Sequence, residues 1–571
     1  MSAEFEVIGT NQEALFTLKV HRGEGMALLG MNWRNGRPPN DFVGFAIEYA
    51  EPAGTKFFPL KNRLAFPGND GSVNPNTLST LLSPIQKFRW VHFPRNAELP
   101  GAFTYKVTPV FMDTHDVLSY GKPQVVAIEL RRETYPNVVN VAFTRGFISS
   151  QAFVDRYGLD ALNKLIPAKA DQGLDFKCTY PSDKAPEAYA WMGFEARSAI
   201  LEVLDQAIAD PTAKVRVVAY DLNDPEIVSR LERLGKRVKV IIDDDGDHGL
   251  ATSCETAAAT RLAKSAGKAN VKRQHLGKLQ HNKTIVVDGQ TPLVVCGSTN
   301  FSWRGIFVQN NNAIIFKDAG VMKIFRAAFD DYWASQSAAD FGSSTSATWH
   351  DLGLAGISVQ AGFSPRAKKN AVLKSIAADI ANNTTSDLFY SLAFLYETPG
   401  PIRDAIVKHQ KNNDIFSYGI SDKKVGGLDV QKPDGTVRVI YPKELSAKLP
   451  SPFKEEPTGA GGARLHHKFV VIDFEKPTAR VYVGSFNFSS AADITNGENL
   501  LLIRDPRIAR SYMIEALRIF DHYEFRVVQS DAKKARKKLQ LAKPPRQPGE
   551  QPWWLEDYTD KRKIRDREIF S

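Results

Sequence analysis

His281-Asn282-Lys283, then Asp288, then Gly297-Ser298-Thr299-Asn300, is a pattern that this chain writes twice. The second copy is His466-His467-Lys468, Asp473 and Gly484-Ser485-Phe486-Asn487. Both fit H-x-K-x-x-x-x-D followed by G-S-x-N, so six identities recur in order. A coincidence of that length is not credible, and the chain is read as an internal duplication.

The surroundings of the two copies repeat as well. Lys283–Val287 and Lys468–Ile472 are predicted strands, each followed by a turn and a second strand, Leu293–Cys296 and Arg480–Val483. On a strand, a His and a Lys two positions apart point to the same face. H-x-K therefore aims an imidazole and an ammonium at one spot. Upstream of the first copy the texture alternates: a helix over Glu195–Ala209, a strand at Val215–Tyr220, a helix over Asp224–Leu234 and a strand at Val238–Ile242. Ala371–Ala381, Ser386–Leu395, Pro401–Lys411 and Ile415–Ile420 play the same sequence of helix, strand, helix and strand before the second copy. Two similar α/β lobes follow, over 145–345 and 350–530.

Residues 1–140 read differently. Ala14–Val20, Val43–Tyr49, Phe103–Phe111 and Gln124–Leu130 alternate in polarity, punctuated by Asn35-Gly36, Pro38-Pro39 and Gly68-Asn69. An all-β, sandwich-like N-terminal domain is expected. His92 and His115 within it are read as packing or surface residues. A basic tail, 531–571, closes the chain and carries Trp553-Trp554.

Bulk properties bound the remaining choices. The 571 residues carry a net charge of +10. Residues 533–571 alone hold twelve Lys/Arg and six Asp/Glu, which leaves +4 for the rest. A wholly basic surface that coats nucleic acid is not indicated. The three cysteines are scattered, so neither a disulfide framework nor a zinc knuckle is implied. No ordinary secretory signal and no spanning apolar run is read, so a cytoplasmic or membrane-peripheral location is expected. Asp243-Asp244-Asp245-Gly246-Asp247-His248 looks metal-like but lacks the placement of a calcium loop. It is read as a solvated, strand-ending turn. Gly459-Ala-Gly-Gly-Ala463 is read as a hinge, and Lys533–Lys538 as a solvated helix face.

The repeated residues match one chemistry. A phosphodiester is anionic and repels nucleophiles. Cleaving it requires neutralised non-bridging oxygens, an in-line nucleophile and a proton for the leaving oxygen. One neutral His can attack phosphorus, and an opposite, protonated His can serve the leaving oxygen. Lys283, Lys468, Asn300 and Asn487 can hold the oxygens as charge builds. This scheme needs neither a metal nor another cofactor.

The two segments resemble the phospholipase D superfamily, whose HKD motif both copies match, over roughly 145–530. The resemblance implies two lobes with the active site between them and a covalent phosphohistidine. It makes His281 the nucleophile and His466 the general acid/base, with Asp288 and Asp473 in support. Aligning the copies beyond Gly297-Ser298 and Gly484-Ser485 sets Asn311-Asn312 against Glu498-Asn499. By the same resemblance Glu498 holds His281 and Asn311 holds His466. Because both motifs stand in one chain, a monomer is expected.

Three substrate readings stay open. The first is a phosphodiesterase acting on glycerophospholipids at a membrane surface, by hydrolysis or transphosphatidylation. The second is a metal-independent nuclease of the same fold. The third is a conditionally delivered toxin or defence effector whose N-terminal domain docks a protein partner. Phe301, Trp303 and the insertions 245–276 and 424–464 are read as lining the entrance. Trp553-Trp554 are read either as resting on an anionic bilayer or as pinning the tail to the catalytic lobes.

Overall fold

The computed structural model describes residues 5–68, 75–130, 133–146, 153, 156–158, 160–395, 399–412, 414–423, 427–432, 437–440, 465–534 and 539–571. The expected hinge at 459–463 and most of the insertion 424–464 lie outside the described residues. So do four positions of the basic run, 535–538. Among the described residues, no helix is long and apolar enough to cross a membrane.

The chain divides into two compact units: one of residues 1–132, 432–436 and 510–571, the other of residues 133–431 and 437–509. The first unit is built on two antiparallel sheets. Glu6–Ile8, Phe16–Arg22, Ala27–Trp33 and Arg89–His92 make one. Phe58–Pro59, Phe42–Ala50, Ala102–Met112 and Leu118–Tyr120 make the other, with Gln124–Glu129 also paired to Ala102–Met112. Alternate residues such as Phe16, Leu18 and Val20 point into a shared core with Phe45, Ile47, Phe103 and Tyr105. His92 packs in that unit, its Nδ1 3.0 Å from the Tyr105 hydroxyl.

The C-terminal segment belongs to this same unit. Trp554 and Tyr558 are part of the sandwich core, and Trp553 stacks on Phe88. The two indole N–H groups donate to the carbonyls of Phe42 and Pro39. Neither sequence reading of the tryptophans survives: they pin the tail to the β-sandwich, not to a bilayer or the lobes. Sequence alone does not reveal this, because the two indoles sit in a charged, strand-free stretch.

The second unit holds two mixed sheets. Lobe 1 runs in the order Val139–Phe143, Asn312–Phe316, Leu293–Gly297, Lys283–Asp288, Lys214–Ala219, Val238–Ile242, Val271–Arg273. Lobe 2 runs Trp349–Asp351, Ser358–Ser364, Glu498–Arg504, Arg480–Gly484, Lys468–Ile472, Asp387–Leu392, Phe416–Lys423, Gly427–Gln431, Val437–Ile440. Five central strands correspond in order and direction. In each lobe the H-x-K strand pairs antiparallel on both sides, and the next strand outward is parallel to its neighbour. Val139–Phe143 is an edge strand of lobe 1, so this lobe's sheet starts within the stretch assigned from sequence to the β-domain. Its apolar alternation is indistinguishable from that of the strands before it.

Local chemistry explains the helices. Asp224 is a cap rather than the first helical residue: its carboxylate accepts from the N–H groups of Glu226 and Ile227, and Pro225 starts the turn. The helix expected over Glu195–Ala209 is the regular part of Ala185–Ala209, after a break at Phe194 (φ 51°, ψ −144°).

Candidate active site

The register of each lobe delivers its motif to the same place. Lys283 pairs with Ala219 at the end of its strand, and Lys468 with Leu392 at the matching end in lobe 2. The His two residues earlier therefore stands just beyond the sheet. Gly297 (φ 127°) and Gly484 (φ 154°) end the following strands. A Cβ there would lie 2.6 Å from the Asn312 carbonyl oxygen and 2.2 Å from that of Asn499, so only glycine lets the backbones approach.

The lobes meet through these loops. The His466 N–H donates to the Asn310 carbonyl, and the Gly497 N–H to the Leu279 carbonyl. Asn499 Nδ2 donates to Asn282 Oδ1 (2.7 Å), and Asn312 Nδ2 lies 3.4 Å from His467 Nδ1. The variable residue of each H-x-K thus reaches the opposite lobe, a role the sequence pattern did not disclose.

His281 and His466 face each other with ring centres 6.2 Å apart. Each is held through Nδ1 from the other lobe. Glu498 Oε2 lies 2.8 Å from His281 Nδ1, and Asn311 Oδ1 2.8 Å from His466 Nδ1. The motif serines fix those partners: Ser485 donates to Glu498 (2.6 Å) and Ser298 to Asn311 (3.0 Å). Lys283 and Lys468 turn back to donate to the carbonyls of His281 and His466. Their ammonium groups sit over the rings of Tyr220 and Phe394. All these catalytic candidates except Asn487 are at least nine-tenths buried.

Asn300 Nδ2 donates to Asp221 Oδ2 at 2.6 Å, which commits one of its two N–H groups. The side-chain oxygens of Asn300 and Asn487 are buried without a hydrogen-bond partner among the described residues. The two motif aspartates stand away from the rings. Asp288 pairs with Arg326 at 2.9 Å. Asp473, fully buried, accepts from the backbone N–H groups of Thr385, Ser386 and Asp387.

Burial governs the charges. It lowers His281 and His466 well below the usual imidazole value, with Lys283 and Lys468 adding to the effect. Both imidazoles are thus biased toward the neutral form by their surroundings. Lys283 falls to about 8 through desolvation, against the pull of Glu498, and Lys468 is lowered by burial and by Lys283. Glu498 is pushed up by burial to about 8, although both lysines oppose the shift. Glu498 and Asp221 pull both ammonium groups the other way, but burial prevails, so an entering anion would restore their charge.

Several neighbours were misread or missed. Phe301 and Trp303 do not line an entrance; they are buried in the core of lobe 1. Asp243 is not a solvated turn residue but fully buried: its Oδ1 accepts from the Gln280 N–H (2.6 Å), next to His281. Its other oxygen lies 2.8 Å from His248 Nδ1. Burial lowers His248, but hydrogen bonds to Asp221 and Asp243 lift it to about 10. Tyr220 packs between His248 and His281, with ring centres 4.5 and 4.7 Å away. The signal for Asp221 and Tyr220 was their place at the end of a predicted strand beside the motif. Comparing the two lobes did not expose them, because the repeat covers only the H-x-K, Asp and G-S-x-N positions.

The chain is similar to several known proteins. The family described as "Cardiolipin synthase, PLD-like domain" matches residues 204–333 and 388–519. A phospholipase D of Rickettsia conorii is 46% identical over 48 residues, 8% of this chain and 22% of that protein. The Rickettsia bellii phospholipase D is 46% identical over 126 residues, 20% of this chain and 58% of that protein. The chain thus spans well under two thirds of the length of either relative. Among solved structures, the phospholipase D family member Nuc from Salmonella typhimurium is 28% identical. That match covers 24% of this chain and 86% of Nuc, with a TM-score of 0.19.

Proposed function

The chain belongs, through its two α/β lobes, to the phospholipase D superfamily of phosphodiesterases, and from that premise we propose that it cleaves glycerophospholipids at the distal phosphodiester bond. The observation that carries the reading is the pair of facing imidazoles, each oriented by the opposite lobe, with two charge-depressed lysines beside them.

In the proposed reaction the phosphate anion enters between the rings and restores full charge to Lys283 and Lys468, which hold its non-bridging oxygens with Asn300 and Asn487. Ionised Glu498 accepts a hydrogen bond from the Nδ1–H of His281 and so leaves Nε2 with its lone pair. That nitrogen attacks phosphorus, forming the N–P bond as the P–O bond to the leaving alcohol breaks. His466, protonated once the anion offsets the lysines, gives its proton to the leaving oxygen. It then takes a proton from water or an acceptor alcohol, which displaces His281 from phosphorus. Charge neutralisation, nucleophile and acid all come from side chains, so hydrolysis of a soluble diester is expected to continue in EDTA. Complete loss, restored by one divalent ion, would contradict this scheme.

Charge at the rim supports a lipid over a nucleic acid. Asp244, Asp245 and Asp247 lie on the lobe 1 turn that begins at Asp243, beside His281. A polyanion would meet them on entry, whereas a single headgroup phosphate need not. The test is a panel of labelled phospholipids run against plasmid and single-stranded DNA. Headgroup release from a phospholipid is expected. DNA degradation in EDTA without headgroup release would make the protein a nuclease.

A further inference from the structure

Beside the first motif, and outside the scheme above, Asp221, His248 and Glu255 converge. One ligand atom from each lies within 4.8 Å of the others. We propose that this cluster is a binding site for one divalent transition-metal ion, Zn2+ or Mn2+, taken by His248 Nε2 and the carboxylates of Asp221 and Glu255.

Two geometric facts carry the assignment. The first is the orientation of the imidazole. His248 Nδ1 lies 2.8 Å from Asp243 Oδ2, and Asp243 is fully buried. A carboxylate on one ring nitrogen fixes the tautomer and turns the lone pair of the other outward, the usual support for a metal-bound histidine. The second is the spacing of the ligand atoms. His248 Nε2 and Asp221 Oδ1 are 3.3 Å apart. A charge-assisted N–H···O bond settles near ~2.8 Å. Two ligands at about 2.0–2.1 Å from a tetrahedral ion lie ~3.3 Å apart. The observed gap matches that spacing, so the ion would take the place of the proton that His248 otherwise shares with Asp221.

The ligand types select the ion. One imidazole and two carboxylates, completed by water, suit Zn2+ or Mn2+. Calcium takes about six to eight oxygens, more than two carboxylates offer. Entry is open, because the side chains of His248 and Asp221 are 18% and 23% exposed. The ion would act as a strut. Asp221 Oδ2 holds the Asn300 amide and Asp243 Oδ1 holds the Gln280 N–H, so both ends of the first motif hang on this cluster.

The test is binding, which is independent of substrate identity. The full-length protein, stripped with EDTA and dialysed, is titrated calorimetrically with Zn2+, Mn2+, Mg2+ and Ca2+, and its thermal unfolding is followed with each ion. One equivalent of Zn2+ or Mn2+ is expected to bind and raise the Tm by several degrees, with Ca2+ far weaker. Glu255→Gln and His248→Gln are each expected to weaken binding at least ~10-fold. Asp243→Asn, which keeps the three ligands but loosens the imidazole, should weaken it by a smaller factor. Absence of stoichiometric binding by the unsubstituted protein would overturn the proposal. So would Zn2+ or Mn2+ affinity that neither Glu255→Gln nor His248→Gln changes.

Discussion

At His281 the protein faces a proton-placement problem. A nucleophilic imidazole needs its proton on Nδ1, and Nδ1 lies 2.8 Å from Glu498, which burial has raised to about 8. When Glu498 is protonated its hydroxyl donates to Nδ1, the ring proton moves to Nε2, and the attacking lone pair is gone. Activity should therefore rise as pH climbs through the titration of this coupled pair. Glu498→Gln removes the carboxylate and leaves the rising limb to His281, which burial holds well below the usual imidazole value. The limb of kcat/KM against pH is expected to shift toward acid, with a lower maximum. An unchanged profile would make Glu498 a mere strand-end residue. The Glu498–His281 and Asn311–His466 contacts were implied by the family resemblance, and the alignment of the lobes beyond the glycine supplied the positions. The positions of Asp221 and His248 were not legible, since the pattern that revealed the site was repetition and the second motif supplies no copy of them.

At the scale of the strand, the two motif aspartates have the same sequence address and different work. Asp473 (φ 54°) turns at the end of its strand and gathers the N–H groups of Thr385, Ser386 and Asp387, tying the loop before the neighbouring strand. Asp288 ends its strand in a partly exposed pair with Arg326. Asp473→Ala strands buried donors and should cost on the order of 3 kcal/mol. Asp288→Ala should cost under ~1 kcal/mol. Denaturant unfolding of the two variants measures the difference, and equal losses would contradict it. Strand periodicity and the Gly-Ser turns were enough to place four of the five central strands of each lobe, but not Asn312–Phe316 or Glu498–Arg504. The edge strand Val139–Phe143 was missed because its membership depends on pairing with Asn312–Phe316, more than 160 residues later, which no local pattern records.

For the whole molecule, the tail is a structural part of the β-unit. Trp554 is 4% exposed within the sandwich core, so Trp554→Ala should destabilise that unit by about 3–5 kcal/mol. Vesicle affinity, measured by flotation under conditions where the variant stays folded, should not change. A selective loss of vesicle binding at unchanged stability would restore a bilayer role for the indole. The central claim, that two lobes assemble one phosphodiesterase site with His281 as nucleophile, is tested by trapping the covalent state. The full chain carrying His466→Ala is mixed with a phosphodiester labelled in its phosphate, whose aryl leaving group needs no proton. The quenched protein is then mapped by peptide mass spectrometry. The label is expected on His281, and adding His281→Ala should abolish it. Turnover of the diester without any label on His281 would contradict the account.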